Sequence, residues 1–238
     1  MLRAATMDNP GRGDIKTYYE EWWENPRDPR DHVFRRLNRL ILKKLPPGKG
    51  KEALDVGAGR GTIVDFLRQK GYKAAAVELN ENFVQELRRR FPEVEVIEGD
   101  FNRVAIDRTF DLVTAVEFTQ NLDREALGTF FRKVASLTDH LILTVSNKNS
   151  LHGFWAVFRG FIKSFVHVYT PKEIEAMVRA AGFEIVSRRG IGLLTPITLF
   201  QDFRWKLIPV WLTTLVNPWA DKLFPRRCHL YYLEARKR

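Results

Sequence analysis

Leu54-Asp55-Val56-Gly57-Ala58-Gly59-Arg60-Gly61-Thr62 is the stretch that decides the fold. The apolar run Ala53 to Val56 stops at glycines, which marks a strand. Thr62 to Gln69 reads as a helix closed by Gly71. A glycine-rich turn between a strand and a helix lets backbone approach a ligand closely. Alone such a turn is weak; here the next strand, Ala74 to Val77, runs into Glu78. That acid lies 21 residues beyond Gly57, about the separation at which a carboxylate reaches ribose hydroxyls.

The glycine spacing and Asp55 narrow the nucleoside. In a dinucleotide-binding turn two residues separate the third glycine from the second, and the strand end is apolar. Here the glycines are Gly57, Gly59 and Gly61, and the strand carries Asp55. A carboxylate beside the turn repels a pyrophosphate, which disfavours a dehydrogenase. It suits a ligand with a free ammonium and a sulfonium centre, as in S-adenosyl-L-methionine. A phosphate loop is excluded because no Gly-Lys-Ser/Thr follows.

Outward from the turn, strands and helices alternate. Glu81 to Phe91 reads as a helix stopped by Pro92, and Val94 to Ile97 and Asp111 to Val116 as strands. Arg124 to Leu137 reads as a helix and Leu141 to Val145 as a strand. Pro171 opens a helix that Thr170 caps and that ends at Gly182. Glu184 to Arg188 and Leu230 to Ala235 are the last strands. This rhythm predicts an α/β fold, a doubly wound, mostly parallel sheet covered on both faces.

Segments 17–47, 147–170 and 192–227 are expected to cap the site, and the last two break the rhythm. The first reads as helical from Tyr18 to Leu45. The other two follow strand ends, where doubly wound folds place their binding crevice. Residues 1–16 read as a flexible leader, and 17–238 as one domain.

The bulk properties agree. The chain has 238 residues, 45% of them apolar, enough for one large α/β domain. Cys228 is the single cysteine, expected as a buried core thiol, so neither an intrachain disulfide nor a cysteine metal cluster can form. No residue pattern suggests a metal. No stretch reaches the ~18 apolar residues of a membrane span. The net charge of +10 favours anionic partners without choosing among them.

Leu54 to Gly61, with Glu78, Gly99-Asp100-Phe101 and Phe110-Asp111-Leu112-Val113, resembles the class I S-adenosylmethionine-dependent methyltransferases. His167 to Ile174 and Ala181-Gly182-Phe183 resemble their type 11 branch, which includes quinone and sterol methyltransferases. The resemblance implies a Rossmann-like, seven-stranded sheet with an antiparallel last strand. It implies that Gly57, Ala58, Gly59 and Gly61 form the turn under the methionine moiety and that Asp55 orients its ammonium. Glu78 would bind the ribose hydroxyls and Leu79 pack on adenine. Asp100 would accept from the adenine amino group with Phe101 beside the ring. Glu117 and Phe118 would line the site near the sulfonium, and Tyr18 and Tyr19 would cover the cofactor. Plainer roles stay open: Asp100 as a turn cap, Glu117 as a solvated loop acid, Tyr18 and Tyr19 as helix packing, Asp111 as a structural acid, Arg60 as solvent-facing.

Methyl transfer from a sulfonium is a direct displacement, so a base is needed only for a protonated acceptor. His167, Glu117 and Tyr169 are the candidates; His152 ranks lower, His229 belongs to the last strand, and His32 and His140 look peripheral. The aromatic and basic inserts suit a small-molecule or lipid-linked acceptor and peripheral membrane contact, although they equally suit a lid core. Val116 to Asn121 lacks the Asn/Asp-Pro-Pro-Tyr/Phe grip on a planar amine, and no RNA-binding module accompanies the charge, so nucleic acid is disfavoured. The expected location is cytoplasmic, at most peripheral to a membrane. A binding module without turnover and an RNA or protein methyltransferase are the competing readings.

Overall fold

The computed structural model describes residues 31–151, 153–154, 167–194 and 210–237. Tyr18, Tyr19, Trp22, Trp23, His152 and most of the aromatic inserts lie outside the described residues, as does the proposed leader.

Seven strands form one sheet. They are β1 (Glu52–Val56), β2 (Lys73–Glu78), β3 (Glu95–Glu98), β4 (Leu112–Ala115), β5 (His140–Ser146), β6 (Phe183–Ile191) and β7 (Leu230–Lys237). Their spatial order is β3-β2-β1-β4-β5-β7-β6, and only β7 runs antiparallel to its neighbours. The order reverses between β1 and β4, which puts the turn after β1 at the switch point, where a crevice opens.

Among the described residues six helices flank the sheet: α1 (Asp31–Lys44), α2 (Thr62–Gln69), α3 (Glu81–Arg90), α4 (Arg124–Leu137), α5 (Pro171–Ala180) and α6 (Val210–Leu223). The central strands alternate their side chains between two apolar layers. Leu54, Val56, Val113 and Leu143 pack with Leu127, Phe130 and Val134 of α4 and with Ile174 of α5. Ala53, Ala76, Leu112 and Ile142 pack with Leu37 and Ile41 of α1, Val64 and Leu67 of α2 and Leu87 of α3. Burial on both faces explains why β1 and β4 read as continuous apolar runs rather than alternating ones. Among the described residues no helix is long and apolar enough to cross a membrane.

Local signals set the element ends. Asn80 accepts the Asn82 N–H at the start of α3, and Asp123 accepts the Ala126 N–H at the start of α4. Thr170 and Glu173 form a reciprocal capping box under Pro171. Cys228 is fully buried, and burial raises its thiol pKa far above the usual range. His140 departs from expectation. It is buried at the β5–β7 pair, with its ring nitrogen 3.0 Å from Glu234, because residue 140 starts an interior strand and not a loop.

Candidate active site

The turn after β1 is built from left-handed backbone. Gly57, Gly59 and Gly61 have φ of 71°, 52° and 83°. A Cβ on Gly57 would stand 2.5 Å from the Phe118 ring, and one on Gly61 would stand 2.6 Å from Leu87 and Phe91. A Cβ on Gly59 would meet nothing within 4 Å: that residue faces open space. Gly61 starts α2 without a side-chain cap, so no capping side chain covers the first N–H groups of the helix.

Glu78, at the end of β2, closes the turn. Its Oε2 accepts the Gly59 N–H at 2.7 Å, and its Oε1 accepts the N–H groups of Leu79 and Asn80, both at 2.8 Å. Oε1 is thereby filled, while Oε2 keeps one acceptor position. Leu79, beside it, is 49% exposed, an apolar side chain at the crevice with a face uncovered.

Asp55 lies in β1 with almost no solvent access. Thr114 of β4 donates to its Oδ1 at 2.7 Å, whereas Oδ2 is buried and has no hydrogen-bond partner among the described residues. Burial pushes its pKa up to about 7; the Thr114 hydroxyl opposes that rise and the Glu78 charge adds to it.

On the other side of the switch point, Glu117 has φ 54°, the one non-glycine residue with positive φ among those described. Its carboxylate takes hydrogen bonds from Thr144 (2.9 Å) and Ser146 (3.1 Å) of β5. The Thr144 hydroxyl also accepts the Glu117 N–H at 2.8 Å. Burial raises the Glu117 pKa, with the Thr144, Ser146 and Gln120 hydrogen bonds pulling against it. A strained backbone held by a purpose-placed hydroxyl pair is a feature of functional positions. The spacing of β4 could not reveal it, since the partners come from β5.

The other expected residues divide. Phe118 is partly buried between the turn and Phe130, its ring centroid 5.5 Å from that of Phe130. Phe101 is turned into the core, 5.4 Å from Phe130, with Lys133 donating to its carbonyl. Asp100 accepts the Asn102 N–H at 2.9 Å, a turn-capping bond, and its other oxygen lies 3.5 Å from Arg103. Tyr169 is buried and its hydroxyl donates to the Leu122 carbonyl at 2.7 Å; burial raises its pKa. The His167 backbone N–H donates to the Gln120 carbonyl at 2.7 Å, which brings its segment beside the loop after β4. Asp111 accepts the Glu52 N–H at 2.8 Å and ties β1 to the turn before β4. Arg60 is partly buried and lies over the Phe83 ring, not free in solvent.

An unpartnered buried carboxylate oxygen, an uncapped helix start, a glycine apex facing open space and an exposed leucine beside a cradled acid fit a zwitterionic nucleoside. The methyltransferase domain family matches residues 30–188, and the chain belongs to that family. That family is one of methyltransferase domains, and a solved structure that shares the fold holds S-adenosylmethionine. The fold is shared with magnesium protoporphyrin IX methyltransferase from Synechocystis PCC 6803, solved with S-adenosylhomocysteine (TM-score 0.67, 16% identity, 95% of this chain and 98% of that one). It is shared too with a methyltransferase from Archaeoglobus fulgidus (TM-score 0.61, 22% identity, 92% and 100%). A ubiquinone biosynthesis O-methyltransferase of Paracidovorax citrulli is 20% identical over 79% of this chain and 86% of its own length. Ribosomal RNA small subunit methyltransferase A of Porphyromonas gingivalis is 33% identical over 83 residues. That match spans 33% of this chain and 32% of the relative, so this chain and that protein are alike over about a third of their lengths.

Proposed function

We propose that the chain methylates a small-molecule or lipid-like acceptor, as a member of the quinone- and sterol-methyltransferase-like branch, with 17–238 acting as one domain capped by 17–47, 147–170 and 192–227. The observation that carries the reading is the Gly57–Gly61 turn, closed by Glu78 beside the unpartnered Oδ2 of Asp55. The cofactor supplies an electrophilic methyl group already activated for displacement. Asp55 answers the ammonium of the methionine end. Glu78 offers its remaining acceptor position to the ribose, Leu79 gives adenine an apolar face, and Asp100, backed by Phe101, closes the adenine end. Gly57, Ala58, Gly59 and Gly61 let the main chain come close, and Tyr19 belongs to the cap.

Glu117 is the favoured acid–base residue, since its raised pKa and hydroxyl cradle hold a carboxylate able to take a proton from a hydroxyl acceptor. His167 is the second candidate, from the segment bonded to Gln120. Tyr169 contributes by pinning the loop after β4 through Leu122. A small or lipid-like acceptor is favoured over RNA by the relative that aligns along most of the chain, named for ubiquinone biosynthesis, whereas the rRNA relative aligns with a third of it. The test is transfer of a labelled methyl group from S-adenosylmethionine to fractionated lipid, small-molecule and RNA pools. Label in the organic-soluble pool is expected; label only in RNA overturns the acceptor class, and no turnover with intact binding leaves a regulatory module.

A further inference from the structure

Helix α6 is built inside out. Apart from Ala220, its buried positions are polar: Thr213 and Asn217 have no exposure and Asp221 has 5%. The Asn217 side chain accepts the Leu194 N–H (2.9 Å) and donates to the Leu194 carbonyl (2.8 Å). Asp221 accepts the N–H groups of Gly192 and Leu193 and pairs with Arg36 at 2.6 Å. On the opposite side, spaced four residues apart, Trp211, Leu215, Trp219 and Leu223 are 67%, 66%, 73% and 72% exposed, and Phe224 follows at 54%. An apolar stripe of this kind ordinarily faces the core; here the core lies behind the polar side.

A basic cleft borders the stripe. Its volume is about 270 Å³, and Arg188, Arg189, Asp221, Lys222 and Pro225 line it. Arg36 offsets the Asp221 charge and Glu175 engages Arg188, while Arg189 and Lys222 have no carboxylate partner among the described residues. Lys222 Nζ sits 5.9 Å from the Trp219 ring, which sets the cation at the margin of the apolar face.

We infer that this face of α6 docks on the surface of an anionic phospholipid bilayer. Trp211, Leu215, Trp219 and Leu223 enter the boundary between headgroups and acyl chains, and Arg189 and Lys222 meet the headgroup phosphates. Tryptophan and leucine beside cations are the composition that the membrane interface selects. The net charge of +10 adds long-range attraction to such a surface. A symmetric second copy is disfavoured, because pairing this face with itself brings two uncompensated basic clefts together. The inference rests on the lipid-like-acceptor reading for its biological sense, but its test needs no turnover, so the two fail separately.

The test is cosedimentation of the full chain with vesicles of phosphatidylcholine alone and of phosphatidylcholine with phosphatidylglycerol, with quenching of tryptophan fluorescence by brominated acyl chains. Binding to the anionic vesicles is expected, weakened about tenfold by W211E/W219E and by R189E/K222E. Circular dichroism should show unchanged helix content and thermal midpoint in both variants, which certifies their fold. Wild-type protein left in the supernatant at low salt overturns the inference. So does W211E/W219E sedimenting like wild type, or a wild-type dimer in light scattering that W211E/W219E converts to a monomer without any vesicle binding.

Discussion

The N–H of Gly59 donates to Oε2 of Glu78 at 2.7 Å, so the acid that ends β2 holds the apex of the turn that follows β1. One carboxylate thus sets the shape of the loop, and the proposed reading assigns its remaining acceptor position to the ribose. Glu78→Ala removes three backbone hydrogen bonds to a charged acceptor and leaves the Gly59 N–H without its partner. Affinity for S-adenosylhomocysteine should fall about a hundredfold in calorimetry, from the loss of one or two charged hydrogen bonds. Glu78→Gln, which keeps one oxygen, should fall between. Unchanged affinity in both would remove the cofactor assignment.

Gly59 and Gly61 separate shape from contact. Gly61→Ala drives a methyl group to 2.6 Å from Leu87 and Phe91 at φ 83°, so a stability loss of about 2 kcal/mol is expected. Gly59→Ala meets open space and bears only the left-handed backbone cost, about 1 kcal/mol. In the proposed reading its methyl group intrudes where the nucleoside approaches, so cofactor affinity should drop more than stability. Thermal melts and calorimetry on the two variants check the contrast.

Asp55 and stability are linked with a definite sign. Its folded pKa, about 7, lies above the ordinary 3.8, so the folded chain binds the extra proton. The stability it contributes is complete below about pH 4 and is lost as pH rises toward 7, up to roughly 4 kcal/mol at 1.36 kcal/mol per unit. Asp55→Asn should flatten that slope in denaturant titrations. If the cofactor's ammonium pairs with Asp55, binding near neutral pH releases a proton. Calorimetry in buffers of different ionisation enthalpy reads that release directly, and its absence would dissociate Asp55 from the ammonium.

Glu175 has the opposite sign. Burial would raise its pKa, but the Tyr231 hydroxyl at 2.5 Å, Arg226 and Arg188 outweigh it and hold the pKa low. This cluster joins α5, β6 and β7, and its stabilisation is lost as pH falls through the lowered pKa. Glu175→Ala should cost about 2–3 kcal/mol; Arg188 and Arg226 keep solvent access, which discounts the figure for a fully buried pair. Urea unfolding at neutral and acidic pH should show the variant's deficit shrink on the acid side.

The parts of the molecule that depend on neighbours in sequence were legible in it. The bounds of α2 and α4 match the residue pattern, Thr170 and Pro171 announced the start of α5, and the spacing from Gly57 to Glu78 flagged the acid that meets the turn. What depends on strands meeting across the sheet was hidden. The Thr144 and Ser146 hydroxyls reach Glu117 only because β5 lies beside β4, and His140 finds Glu234 only because β7 returns antiparallel to β5. The aromatic composition of 192–227 was plain, but whether it pointed inward or outward was not. In α6 the answer turns on Asn217 and Asp221, which take the inward positions to bond the backbone of 192–194.

Glu117 offers the sharpest test of chemistry. Burial raises its pKa while Thr144 and Ser146 stabilise its anion, so it titrates closer to working pH than an exposed glutamate. A base must be ionised to accept a proton, so kcat should rise with pH through the raised Glu117 pKa. Glu117→Gln should abolish that acid limb and lower kcat about a hundredfold, with cofactor affinity little changed. Thr144→Val removes the hydroxyl that holds both the Glu117 N–H and its carboxylate. The acid limb should then shift to higher pH, because the anion has lost a donor. A pH–rate profile with the same acid limb in wild type and Glu117→Gln would assign the base elsewhere, with His167 the next residue to substitute.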